Sequence, residues 1–190
     1  MNLSTVHAAR AEVPRWQALL HRWPSLLGLA VAVSQLAFGA EHESVAIVVC
    51  VATLCYLGAA ALGRPWVAWA AIPGASLLVA ISKIVGVPWW VGIAVAAVAL
   101  VVVGLLRRAP RPAFTAQVAA LIGYGGLAVG TLWVAPRAGL VLAGLLLAAH
   151  AVWDLVHYRR GQVVSRSLAE FCMLLDVPLG IGVVVLAFLD

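Results

Sequence analysis

Charge is what this chain has least of. Asp, Glu, Lys and Arg together make up 10% of its 190 residues, whereas hydrophobic residues make up 65%. A soluble domain carries roughly 25% charged residues. A chain this poor in charge cannot cover a water-facing surface, so it belongs in lipid. Cysteine is scarce too: Cys50, Cys55 and Cys172 each lie inside an apolar run, and none forms a CxxC pair. That excludes a disulfide framework and zinc-finger spacing. A clustered basic patch is also missing. The formal net charge is +5, but the arginines are scattered between apolar runs, and nucleic-acid binding needs them gathered together. No nucleic-acid partner is expected; the first partner is the lipid bilayer.

Long apolar runs are what the chain does have. A spanning helix needs about 20 mostly apolar residues. Such runs fall at about 24–40, 44–62, 65–84, 88–106, 114–135, 138–157 and 167–189. The first, "PSLLGLAVAVSQLAFGA", has the look of a signal-peptide core with Ala37 and Gly39 near a cleavage point. Six further runs follow it, and it reads instead as a first span. Short connections make neighbouring spans antiparallel. Pro24, Pro65 and Pro88 stand at the expected first helical positions, where a missing N–H costs nothing. The expected fold class is all-α: a polytopic membrane protein with seven transmembrane helices. Residues 1–23 form a cytoplasmic segment and 24–190 a single seven-helix domain.

The cationic residues set the orientation, because positive loops stay in the cytoplasm. With the N-terminus inside, the inner segments hold Arg10, Arg15, Arg22, Arg64, Arg107, Arg108, Arg111, Arg159, Arg160 and Arg166. The outer segments hold only Lys83 and Arg137. Glu41, Glu43 and the C-terminus at Asp190 then fall outside. Trp16, Trp23, Trp66 and Trp69 mark the inner boundary; Trp89, Trp90 and Trp133 mark the outer one, as an aromatic belt requires. In the fifth span Ala119, Gly123, Gly126 and Gly130 form a small-residue pattern that permits close helix approach. No internal repeat is evident, which weighs against an inverted-repeat transporter.

Ionisable groups inside lipid are costly and mark function by default. The candidates are Lys83, His150, Asp154, His157, Glu170 and Asp176. Lys83 lies near a span end, where its stem can carry the ammonium out to the headgroups. Ser167 to Glu170, "SLAE", reads as a capping box, with Arg166 within reach of the carboxylate. The sixth span is different. Its end reads "HAVWDLVHYRRG". At 100° per residue, Asp154 lies about 40° from His150 and His157 about 20° on the other side. The three share one face over about 10 Å of helix. Trp153 reads as a packing residue or boundary anchor. In the seventh span Cys172, Asp176 and Gly180 recur every four residues. Gly180 would let the sixth helix come close, and Asp176 would lie level with His150. Pro178 removes a backbone donor and frees the Leu174 carbonyl. Cys172 reads as a plain buried thiol.

Residues 150–180, "HAVWDLVHYRRGQVVSRSLAEFCMLLDVPLG", resemble an uncharacterised family of small bacterial membrane proteins. That family ends one helix with His-x-x-Trp-Asp-x-x-His; a glycine follows, and the next helix carries Cys and Asp close to Pro. The matching positions are His150, Trp153, Asp154, His157, Gly161, Cys172, Asp176 and Pro178. Here Val177 separates Asp176 from Pro178, whereas the family places the aspartate directly before the proline. The resemblance implies a multi-pass protein of the bacterial inner (plasma) membrane and supports a site without naming a reaction.

Three functions are expected in this order. The first is a membrane-embedded enzyme acting on a lipid, isoprenoid or other apolar small molecule. Its catalytic residues would be His150, Asp154 and Asp176, working by acid–base chemistry. Alternatively, a divalent metal such as zinc or iron would be held by His150, Asp154, His157 and Asp176. The second is a non-catalytic subunit of a membrane complex or a homo-oligomer, with the polar cluster as glue. The third is a proton- or metal-coupled transporter, against which the outer halves of the sixth and seventh spans offer no polar path.

Overall fold

The computed structural model describes residues 22–189, so all but Arg22 and Trp23 of the expected cytoplasmic segment, and Asp190, lie outside the described residues. Among the described residues every regular element is helical and no strand occurs. The helices are α1 Trp23–Ala37, α2 His42–Leu62, α3 Trp66–Ile84, α4 Trp89–Leu106, α5 Arg111–Trp133, α6 Pro136–Arg160 and α7 Arg166–Leu189. Six of them, α2 to α7, are long and apolar enough to cross a membrane. The chain thus has the make-up of a multi-pass membrane protein.

The first of the seven expected spans comes out shorter. α1 has 15 residues, about 22 Å of helix against a hydrocarbon core of about 30 Å. It stops because Gly39 takes a left-handed φ of 83° just past its end. The prolines also sit one position from where they are expected. Pro24 lies within the first turn of α1, while Pro65 and Pro88 are the residues that precede α3 and α4.

α2 is the central pillar. Its residues from Cys50 to Ala61, Val51 excepted, are all buried, and α3, α4, α5 and α6 pack around it. Ser44 Oγ accepts a hydrogen bond from the Glu41 amide at 3.0 Å at its start, and Gly63 closes its end with φ 63°. The most extensive helix pair is α6 with α7. It is close because two glycines face each other. A Cβ on Gly180 would stand 2.6 Å from the Gly144 carbonyl oxygen, and one on Gly144 would stand 2.7 Å from that of Gly180. α1 packs against α7 in the same way, with Gly28 facing the Phe171 carbonyl. The glycine pattern of α5 serves no such contact among the described residues: Gly123, Gly126 and Gly130 have nothing within 4 Å of an added Cβ. That expectation is corrected; spacing alone did not say which glycines meet a neighbour.

Outward faces of α3, α4 and α7 carry exposed Leu77, Ile81, Val95, Val98, Val102, Ile181 and Val185. Such surface is stable only against lipid or another apolar partner. Tryptophans pair at the two ends, Trp23 with Trp69 at 5.1 Å and Trp90 with Trp133 at 6.2 Å between ring centroids.

Candidate functional site

α6 and α7 place three ionisable side chains at one spot. His150 and Asp154 are one turn apart on the buried face of α6, and Asp176 comes from α7, one turn before Gly180. The Gly144–Gly180 contact draws the two backbones together just beside them. His150 Nδ1 lies 2.9 Å from Asp176 Oδ2 and 3.4 Å from Asp154 Oδ2. All three residues are 0% exposed. A carboxylate only accepts, so Nδ1 carries the hydrogen in this arrangement. Sequence-expected His150, Asp154 and Asp176 are thus brought together.

α2 contributes a fourth member that sequence reading passed over. The Tyr56 hydroxyl donates to Asp154 Oδ1 at 2.6 Å, and Tyr56 is itself buried. Its ring stands edge-on to His150 at 5.9 Å. α5 adds Tyr124, whose ring also stands edge-on to His150, at 5.1 Å. Tyr124 lies in a π-helical turn, Leu121–Gly125, and such bulges often occur at functional sites. The signal available for Tyr56 was a tyrosine inside an apolar run, but its partner is 98 positions away.

His157 belongs to a neighbouring network rather than to the cluster. Trp153 Nε1 donates to Gln117 Oε1 at 3.1 Å, which fixes the amide orientation, because an indole N–H can only donate. The Gln117 amide nitrogen therefore donates to His157 Nε2, at 3.0 Å. His157 Nδ1 then donates to the Trp153 carbonyl at 2.8 Å. Both ring nitrogens are used, so a lone pair for a metal exists only if Gln117 lets go. This departs from the expectation that His157 ligates a metal beside His150. Trp153, expected as a packing residue or boundary anchor, is held by Gln117.

Glu170 is neither a cap nor a site member. Ser165 Oγ, not Ser167, meets the Leu168 amide at 3.3 Å at the start of α7. Ser167 accepts from Trp69 Nε1 at 3.2 Å. Glu170 instead accepts from the Ser25 hydroxyl and pairs with Arg22 at 3.6 Å, tying α7 to α1. Lys83, expected at the headgroups, is half-exposed and pairs with Glu43 at 2.6 Å.

The cluster is incompletely satisfied. Among the described residues, His150 Nε2, Asp154 Oδ2 and Asp176 Oδ1 are buried without a hydrogen-bond partner. Each such atom costs about 1–3 kcal/mol. One donor from each residue can be chosen so that all lie within 4.8 Å of one another. In tetrahedral zinc sites with bonds of ~2.0–2.1 Å, neighbouring ligand atoms stand about 3.3–3.4 Å apart. From Nδ1 the separations are 3.4 Å to Asp154 and 2.9 Å to Asp176, and Nδ1 must pass its hydrogen to Nε2 before it can ligate. With a neutral imidazole and both carboxyls ionised, the cluster would carry two negative charges, which one divalent cation balances.

Comparison with protein-family models, with curated proteins and with solved structures finds no match. What fold and site define is a class: a polytopic helical membrane protein with a buried His–Asp–Asp cluster.

Proposed function

We propose that this protein is built around an intramembrane divalent-cation site, and that the cation serves chemistry on a lipid- or isoprenoid-like substrate. One observation carries the reading: three buried polar atoms without partners, on three residues whose donors converge within 4.8 Å. His150, Asp154 and Asp176 are the ligands; imidazole and carboxylate together suit zinc or iron. Tyr56 orients Asp154, as hydrogen-bonded carboxylates are oriented around metals. Three protein ligands leave a position open, where a metal polarises an oxygen or activates water.

The N-terminus lies on the cytoplasmic side in this reading, which puts ten of the twelve Lys and Arg residues inside. The membrane is the bacterial inner membrane. One observation favours a second reading: His150, Asp154 and Asp176 are wholly enclosed, as a cluster that only glues α6 to α7 would be.

Metal-dependent stability tests the choice. Zinc or ferrous iron added to detergent-purified, chelator-treated protein stabilises it by mass action, about 2.7 kcal/mol at a hundredfold excess over Kd. The Asp176→Asn variant gains nothing. If wild type and variant respond alike, the cluster is not the site.

A further inference from the structure

Away from the His–Asp cluster, α1, α2, α3 and α7 line a partly open slot of about 360 Å³. Along α2 its wall runs from Ser44 to Cys55, about 16 Å of helix. The whole non-atom space of the slot is about 990 Å³, whereas a helix only 10 Å across takes up roughly 1,250 Å³ over that length. A helix or a second copy of the chain does not fit; a single extended hydrocarbon chain does. The polarity of the wall is graded. Gln35 and Ser44 lie at the end where α1 stops and α2 begins, beside the Lys83–Glu43 pair. Toward the opposite end the wall is formed by Leu168, Phe171 and Cys172. Midway, the exposed residue Ser76 marks a side opening between helices that face lipid.

We infer that this slot binds one acyl or isoprenoid chain of an amphipathic lipid, head toward Gln35 and Ser44, tail toward Cys172. The inference deepens the proposed function, because Cys172 stands one helical turn from Asp176 and Cys55 adjoins Tyr56. The tail end thus reaches the wall behind which the cluster lies. It rests on that reading for the use of the chain, but not for its binding.

The test is photo-crosslinking of the full protein in vesicles of phosphatidylethanolamine and phosphatidylglycerol whose acyl chains carry a diazirine. Adducts are mapped by mass spectrometry, and metal content is measured on the same samples. Adducts are expected on cavity residues Val48, Val51 and Ile72, and also on lipid-facing Val95 and Val98. Filling the slot with Val48→Phe should abolish the cavity adducts, leave those on Val95 and Val98, and leave metal content unchanged. Ile72→Trp fills it from another helix and serves if Val48→Phe does not fold. Adducts confined to Val95 and Val98 in the wild type overturn the inference, as do cavity adducts that persist in the filled proteins. Asp176→Asn, which fails the metal site, should keep the cavity adducts, so the two readings fail separately.

Discussion

Replacing Tyr56 by Phe removes one oxygen atom and keeps the ring that packs against His150 and His157. The lost atom is the donor to Asp154 Oδ1 at 2.6 Å. Asp154 is fully enclosed, and its other oxygen already lacks a partner. The variant therefore leaves both carboxylate oxygens without a hydrogen bond. A hydrogen bond to a charged group is worth about 1.5–3 kcal/mol, and little packing is lost to offset it. At about 2–4 °C per kcal/mol for a chain of this size, Tm should fall by roughly 3–12 °C. Thermal unfolding of detergent-purified protein, followed by tryptophan fluorescence with chelator present, reads the change. Tyr124→Phe is the control. That hydroxyl reaches only the Ala149 carbonyl at 3.4 Å, so its loss should stay within about 0.5 kcal/mol. A Tyr56→Phe shift as small as the control's would refute the claim that Tyr56 supports the cluster.

Other consequences are as definite. Gly180→Ala places a Cβ against the Gly144 carbonyl and the Ala148 amide, so it should separate α6 from α7 and lower Tm sharply. Gly126→Ala, with open space around it, should be neutral or stabilise by up to about 1 kcal/mol through helix propensity; equal effects at the two sites would contradict the packing described. Gln117→Leu strands Trp153 Nε1 and His157 Nε2, at about 1–3 kcal/mol each, yet metal content should not change; loss of metal would put His157 in the site. For topology, Cys50, Cys55 and Cys172 are all buried, so an impermeant maleimide reports cleanly on added thiols. Glu43→Cys should react in intact cells and Arg108→Cys only after permeabilisation; the reverse pattern inverts the protein.

The helices were legible in the sequence because lipid imposes a simple rule, one long apolar run for each span, and the observed boundaries of α2, α3 and α4 lie within two residues of those runs. The His150–Asp154 stripe was legible for a similar reason, since helical period alone puts those residues on one face. Asp176 joined them through a depth argument that the Gly144–Gly180 contact bears out. What escaped was non-local. Gln117 has its partners 36 and 40 positions away, and no local pattern marks it. Glu170 matched a capping pattern, but α1 packing on α7 brought Ser25 and Arg22 to it instead. Two serines stood within cap range of α7, and the motif picked the wrong one. The glycines of α5 failed for the converse reason: small residues permit a contact but do not supply the neighbour.

The central claim is that His150, Asp154 and Asp176 hold a cation, and metal analysis tests it most directly. Elemental analysis would be run on wild type and Asp176→Asn, both purified from metal-replete cells without chelator. An ionised aspartate left alone at this depth costs about 2.5–3.5 kcal/mol on insertion scales, and an amide there is cheaper to bury, so the variant should fold. The account predicts about one zinc or iron per chain in the wild type and none in the variant. Wild-type protein without metal, or a variant that keeps the wild-type content, would contradict it.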